Sequence, residues 1–290
     1  MGLRTKFNLM LAAVALVGLA LLAAVLTPIL DGQARDEVVQ RSQIMMEAAA
    51  GVRKYTAEQV APLLEPRMAN TFHPQAVSAF AAGKTFDVLH AKYPDYAYRE
   101  PALNPTNPMD RATDWEADII EGFRSHPQLA ETVVERDTPT GRSLVLARPL
   151  VATAECLTCH STPAAAPKSM IAIYGPDHGF GWQPNEIVAA QVVSVPMAVA
   201  FAQADQARLV FLACYAGVFA LLFALLNLLL NAMVLTPIDR MAKTAEAVSL
   251  GKLETPEYVR AGADQIAKLS VALNRLRRSL QEALRMLSEP

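Results

Sequence analysis

At 290 residues with 52% hydrophobic content and a mean hydropathy of +0.21, the chain is too apolar for an ordinary soluble domain. Its formal net charge of −2 offers no basic excess, so no nucleic-acid or other polyanionic partner is expected. The excess apolar content concentrates in residues 7–30 and 209–236, neither of which holds a charged residue.

Each stretch exceeds the ~20 residues that cross the hydrocarbon core as a helix, and neither shows a polar face. Arg4 and Lys6 precede the first, DGQARDE follows it, and Arg240 and Lys243 follow the second. Basic residues accumulate on the cytoplasmic side, so both termini are expected in the cytoplasm. The alternative, a signal peptide cut near Gln33-Ala34, fits less well. The apolar run is longer than the ~7–15 residues of a signal h-region, which favours an uncleaved anchor. The expected division is a cytoplasmic N-terminus at 1–6, membrane helices at 7–30 and 209–235, an extracytoplasmic domain at 31–208, and a cytoplasmic tail at 236–290. A two-pass protein of the bacterial inner membrane with a periplasmic domain is the expected placement.

Within the outer domain, Val38, Met45, Ala49 and Val52 recur at helical spacing from Gln33 to Leu64. This predicts either a helix on a core or a stalk that continues the first span and pairs with a second copy. FHPQAVSAFAAGKTFDVLHAKYP predicts a helix with Pro74 at its first position, where a missing N–H costs nothing. YPDYAYREPAL alternates like a strand. A proline-rich loop then leads to a short helix stacking Trp115, Ile119 and Phe123. ETVVERDTPTGRSLVLARPLVAT predicts a hairpin around Thr-Pro-Thr-Gly. Residues 188–197, VAAQVVSVPM, predict a further strand, with a short helix leading into the second span. The sum is an α+β module, a small antiparallel sheet with flanking helices of PAS-like or Cache-like type.

ECLTCHS, residues 155–161, is the chemical signal. The chain has three cysteines, and the third, Cys214, lies in the second apolar run. Zinc would need a second ligand pair that the chain lacks. A thioredoxin-type couple would need a βαβ setting. A structural disulfide suits the compartment but leaves His160 unexplained. Covalent haem uses all three residues: Cys156 and Cys159 as thioethers to the vinyl groups, and His160 as an axial iron ligand. With five histidines and three cysteines in the chain, a chance C-x-x-C-H is on the order of one in a few thousand. One haem c per chain is the expectation.

The sixth ligand has several candidates. His73 is favoured, because a helix N-cap position disfavours imidazolium and keeps the neutral form that binds iron. Met45 and Met46, on the stalk, are weaker candidates. His90, His126 and His178 stand at turns or helix ends, and Met68, Met109, Met170 and Met197 complete the extracytoplasmic set. A vacant site open to a diatomic gas is a further option. Two histidines would give a lower potential than a His/Met pair.

In the tail, Ile238, Met241, Ala245 and Val248 form one apolar stripe. Ile266, Leu269, Leu273, Leu276, Leu280 and Leu287, with Ala283 as a small member, form another. A connector containing Pro256 separates them. Two short parallel heptad helices cannot bury such stripes within one chain, which implies a dimeric four-helix bundle. Thr236-Pro237-Ile238, Gly251 with Leu253, and Asp264-Gln265-Ile266 resemble a HAMP linker domain. Gln265 stands where that family usually has Glu, and Ala267 where Gly is frequent.

The outer domain, over about residues 40–200, resembles membrane sensors with an extracytoplasmic c-type haem domain. It is distantly similar to a cyanobacterial haem c protein family with a PAS-like fold. The resemblance rests on FHPQAVSAFA, ALNPTNPMDRATDWE, TPTGRSLVLARPL, CLTCHSTPAAAP and YGPDHGFGW. In the cyanobacterial relative a cysteine lies opposite the motif histidine. This chain has none to spare, and the similarity brings His73 near that place.

These resemblances imply a haem-based sensor that passes a redox or diatomic-ligand signal through HAMP. The expected partners are a second copy through HAMP and stalk helices, and a separate cytoplasmic signalling protein or redox partner. A membrane-tethered dimeric cytochrome for electron transfer is the alternative, although a carrier has no need of a conformational relay. No distal acid/base set of a haem enzyme is identified, so no enzymatic activity is expected. The sequence stops at Pro290 after the second heptad helix, without a kinase, cyclase or methyl-accepting region. A separate output protein, or truncation of a longer sensor, is the corresponding expectation.

Overall fold

The computed structural model describes every residue except 1, 139, 140, 253, 255, 289 and 290. It divides into two compact units, Ala24–Leu209 and Met1–Ala23 with Val210–Pro290.

A single long helix continues from the first apolar run and packs its lower part on the core, as the first of the two expectations has it. α1 runs Leu3–Tyr55 without a break at the expected membrane boundary and carries Pro28 inside it. Its lower part buries Ala34, Val38, Ser42, Met46 and Ala49, a spacing of four and three that keeps one face on the core. A π-helical turn, Thr56–Val60, follows and gives way to α2, Ala61–Met68. Pro62 explains the turn. It has no N–H for the carbonyl of Glu58, and its ring would strike that carbonyl in a regular helix.

A 3-10 turn at Pro74–Ala76 precedes α3, Ser78–Lys92. Pro74 opens the short turn as its chemistry favours, while the long helix starts four residues later. Strand β1, Ala97–Arg99, is a short piece of the expected YPDYAYREPAL strand. α4, Asp114–Ser125, follows the proline-rich loop. The Thr113 backbone N–H donates to Glu116 Oε2 at 2.8 Å, which fixes the start of α4. The same buried carboxylate receives Arg99 through both oxygens at 3.0 and 3.1 Å, tying α4 to β1.

Strands β2, Thr132–Thr138, and β3, Gly141–Val151, form the expected hairpin. Pro139 and Thr140 of its turn lie outside the described residues. β4, Ile187–Pro196, completes the set. Among the described residues, the four strands make one antiparallel sheet in the order β1-β4-β3-β2.

Side-chain alternation along β3 supplies two cores. Leu144 and Leu146 pack with α1, α3, Val193 and Val195, whereas Val145 and Ala147 face α4 with Ile120, Phe123 and Val192. Trp115 and Ile119 join the second cluster, so the expected i, i+4, i+8 stack of α4 is seen. The third cluster, Ala102, Ala152, Val188 and Ala189 with Leu150 and Trp182, lies at the sheet end from which the Cys-x-x-Cys-His segment departs. A hydrogen-bonded chain, from Arg53 of α1 to Glu100, Tyr98 and Gln191, joins the stalk to the sheet.

Helices α5, Ala154–His160, and α6, Lys168–Tyr174, have no counterpart in the sequence expectations. α7, Ala198–Leu230, absorbs both the short helix expected after β4 and the second apolar span. Two helical stretches are long and apolar enough to cross a membrane, and their apolar windows are not buried in the protein. In the membrane-flanking unit, Tyr215 donates to the Ala15 carbonyl at 3.3 Å, and Gly18 leaves room for its ring.

Past α7, a second π-helical turn, Asn231–Leu235, precedes α8, Thr236–Ser249. α9, Gln265–Ser288, follows the connector. α9 buries Ala267, Ser270, Asn274 and Arg277 within the chain. Leu269, Leu276 and Leu280 of the expected stripe stay exposed, as does Ile238 of α8, while Met241 is buried. Leu253 and the side chain of Leu287 are outside the described set.

Candidate haem attachment site

Strand β3 ends at a register shift between Leu150 and Val151. The chain turns through Thr153, whose extended backbone carries it into α5, and the Cys156 N–H donates to the Thr153 carbonyl at 3.1 Å. On this helix, spacings of three and four place Cys156, Cys159 and His160 along one side. Both cysteines are free thiols and half-buried. Thr153 Oγ1 lies 3.4 Å from Cys156 Sγ. Burial, and then the neighbouring Cys156 charge, pushes the Cys159 thiol up from its ordinary pKa.

The imidazole of His160 is held from three directions. Its Nδ1 is 2.7 Å from the Gly179 carbonyl and 3.4 Å from Thr106 Oγ1. The Trp182 ring stacks on it with centroids 4.0 Å apart and planes 10° from parallel. Two backbone bonds bring that loop alongside α5: Gly181 N–H to the Ser161 carbonyl at 3.0 Å, and Trp182 N–H to the His160 carbonyl at 3.3 Å.

A carbonyl can only accept, so Nδ1 is the protonated nitrogen in this arrangement. Nε2 is left with its lone pair, the arrangement by which a metal-ligating histidine is usually oriented. Burial pulls the His160 pKa below its ordinary value, and the Gly179 bond opposes that only in part. The ring is therefore neutral near pH 7. Two free thiols and a neutral, oriented imidazole on one helix side suit a porphyrin attached through Cys156 and Cys159 with His160 on iron.

Gly179 makes this arrangement possible. Its φ is +83°, and a Cβ there would lie 2.0 Å from Thr106 Oγ1 and 2.7 Å from the Thr106 backbone nitrogen. Only a glycine lets the loop reach both Thr106 and His160. The next residues return the chain to the sheet. Ala152 N–H donates to the Glu186 carbonyl at 2.8 Å and Asn185 N–H to the Ala152 carbonyl at 2.9 Å, so β4 begins beside the end of β3.

His73 lies between α2 and the 3-10 turn, half-buried, and caps that turn by position but makes no side-chain cap bond. Its backbone N–H donates to Met68 Sδ at 3.3 Å. Ser169 Oγ donates to the Met68 carbonyl, and Phe72 meets Tyr174 edge-on at 5.9 Å. The segment bearing His73 thus packs on α6, which starts eight residues after His160.

Met46 is fully buried in the core that α1 forms with the sheet, and Met45 packs against that cluster. That cluster includes no residue of the Cys-x-x-Cys-His motif. His90 and His126 engage local backbone carbonyls, and His178 is exposed. The sequence expectations did not single out Thr106, Gly179 or Trp182. The available sign was the pair of glycines before Trp182, both with positive φ.

Residues 31–196 match the Tll0287-like family, and residues 229–282 match the HAMP domain. Among solved structures, the cyanobacterial heme-protein Tll0287 is similar at 19% identity, over 55% of this chain and 95% of that one, with a TM-score of 0.42. No curated protein sequence matches. The Cys-x-x-Cys-His segment sits inside the first match and the second apolar helix leads into the other, so the chain belongs to the Tll0287-like family and carries a HAMP domain behind it.

Proposed function

We propose that this protein is a haem c-based transmembrane sensor that detects redox state or a diatomic ligand and relays it through HAMP to a downstream partner. The observation carrying this reading is His160. Its Nδ1 is pinned to the Gly179 carbonyl, which makes Nε2 the nitrogen that keeps its lone pair, and Cys156 and Cys159 share its short helix. Haem bound there would supply a one-electron iron centre that can also take a diatomic ligand. Cys156 and Cys159 would hold it through thioether bonds, and His160 and His73 would supply imidazole ligands to its iron. Met45 and Met46 are weaker for that role, being committed to the apolar core.

The chain's own residues offer a route outward. The loop clasping His160 runs into β4, and Pro196 of β4 is followed by Met197 and α7. Met197, Phe201 and Ala204 share a core with Val38 and Met46 of α1. Both membrane-directed helices therefore rest on the strand that begins at the haem loop. Packed cores change between discrete arrangements rather than deforming smoothly, so a shift of this loop is passed to both helices.

Arg4 and Lys6 before the first span, and Arg240 and Lys243 after the second, support a periplasmic haem domain with both termini in the cytoplasm. Homodimerisation is supported by uncovered apolar faces. Leu269, Leu276 and Leu280 are exposed on α9, and Ile44 and Tyr55 are exposed at heptad-related positions on the stalk. A tethered electron carrier is the competing function, and the HAMP domain disfavours it.

Replacing His73 with alanine is expected to turn a six-coordinate visible spectrum into a five-coordinate one. An unchanged spectrum removes His73 from the site. The sensing function is tested by cysteine crosslinking between α9 helices of two full-length copies in membranes. Oxidised, reduced and CO-treated samples are expected to differ in crosslinking yield by about threefold or more, the population shift of a two-state bundle biased by ~0.7 kcal/mol. Identical yields in all three states leave the carrier reading.

A further inference from the structure

Pro237 sits one residue into α8 and has no N–H, so the α-helical donor for the Met233 carbonyl is missing. The carbonyl lies in the π-helical turn that ends the second membrane helix. Arg260, far along the connector, donates from Nη1 to that carbonyl at 2.7 Å. Its Nη2 pairs with Asp264 at 3.3 Å. Asp264 caps α9, accepting from the Ala267 N–H at 2.7 Å through Oδ1 and from the Lys268 N–H at 3.1 Å through its carbonyl.

The connector is also fastened along α9. Arg260 N–H reaches Ser270 Oγ at 3.3 Å, Asn274 donates to the Tyr258 carbonyl at 2.9 Å, and Arg278 takes both carboxylate oxygens of Glu257 at 2.8 and 2.7 Å. The guanidinium is thus the point where the connector and α9, already joined, meet the end of the membrane helix.

We infer that Arg260 is a positioning residue of the relay: it supplies the donor that Pro237 withholds and links the membrane helix end to the N-terminus of α9 directly, in parallel with α8. A planar guanidinium with several fixed donors can serve the carbonyl and Asp264 together, whereas a lysine ammonium is a single point of charge. Movement of residues 231–235 then reaches α9 without first passing down α8. The inference concerns the HAMP unit alone and holds whether or not the outer domain binds haem.

The test is amide hydrogen exchange of the full-length chain in lipid nanodiscs for wild type, Arg260→Ala, Pro237→Ala and the double variant. Arg260→Ala is expected to raise exchange at residues 266–272 about tenfold, as expected when a partly shielded charge-assisted bond is removed. Arg260→Lys is expected to recover less than half of that protection. Pro237→Ala restores an amide that can take up the Met233 carbonyl. In that background Arg260→Ala is expected to change exchange by about threefold or less, because the shared partner is already satisfied. Equal effects of Arg260→Ala in the two backgrounds would make Arg260 an ordinary connector contact and overturn the link, as would unchanged exchange in the single variant or full rescue by lysine. The readout needs no haem, so loss of the sensor reading and loss of this link register separately.

Discussion

Changing both Cys156 and Cys159 to serine is expected to abolish covalent haem, leaving essentially no c-type absorption after acid-acetone extraction. Expression must be in a host that matures cytochromes outside the cytoplasm. The reason is local: the two thiols are the soluble sulfhydryls of the chain, unbonded to each other, three residues apart on α5. A single serine substitution should leave one thioether, with the pigment retained but its absorption maximum displaced. Thioether bonds saturate the vinyl groups and shorten the conjugated system, so each lost bond moves the band. Extractable haem in the unmodified protein, or free thiols at both positions by mass spectrometry, would remove the c-type attachment from the account. His160→Ala is not equivalent, because attachment and ligation are separate bonds.

Replacing Gly179 with alanine is expected to be the most damaging single change outside the motif. Positive φ alone costs an alanine ~1–2 kcal/mol. The larger part is steric: the new methyl would stand 2.0 Å from Thr106 Oγ1, with the Thr106 backbone within 2.8 Å, so a rotamer change does not relieve it. The loop must retreat, and its carbonyl leaves His160 Nδ1. The expected outcome is a loss of several kcal/mol of local stability together with a changed iron spectrum, since an unrestrained ring can rotate or lose its ligand role.

Gly181→Ala is the internal control. Gly181 has the same φ of +83°, yet nothing lies within 4 Å of a Cβ built there. It should show only the backbone strain. Denaturant unfolding followed by fluorescence of Trp182, which stacks on His160, together with absorption spectra, compares the two variants. Equal damage from both would mean that backbone strain, not the approach to Thr106, holds the loop in place.

The two expectations differ in how far they could be read from sequence. The attachment motif is contiguous and its chemistry depends on residue type, so Cys156, Cys159 and His160 stand out unaided. The two long apolar helices, the β2–β3 hairpin and the α4 stack were legible for a related reason: each depends on the pattern of residues within one segment. Helices α5 and α6 were not, because seven-residue helices hold too few turns to show a period. The long stalk helix was legible in its apolar face but not in its π-helical turn, which answers to Pro62.

By itself, the sequence determined where the chain is apolar enough to cross a membrane, which residues form the Cys-x-x-Cys-His motif, and which tail positions form heptad stripes. The tertiary structure alone decided how His160 is oriented, since that depends on Thr106, Gly179 and Trp182, distant in the chain. Gly179 acts there through a backbone carbonyl, which every residue type possesses and no composition betrays. It also decided that α9 turns Ala267, Ser270 and Asn274 inward while Leu269 and Leu276 stay uncovered. That choice rests on hydrogen bonds from the connector, whose partners become neighbours only after the chain has folded back on itself.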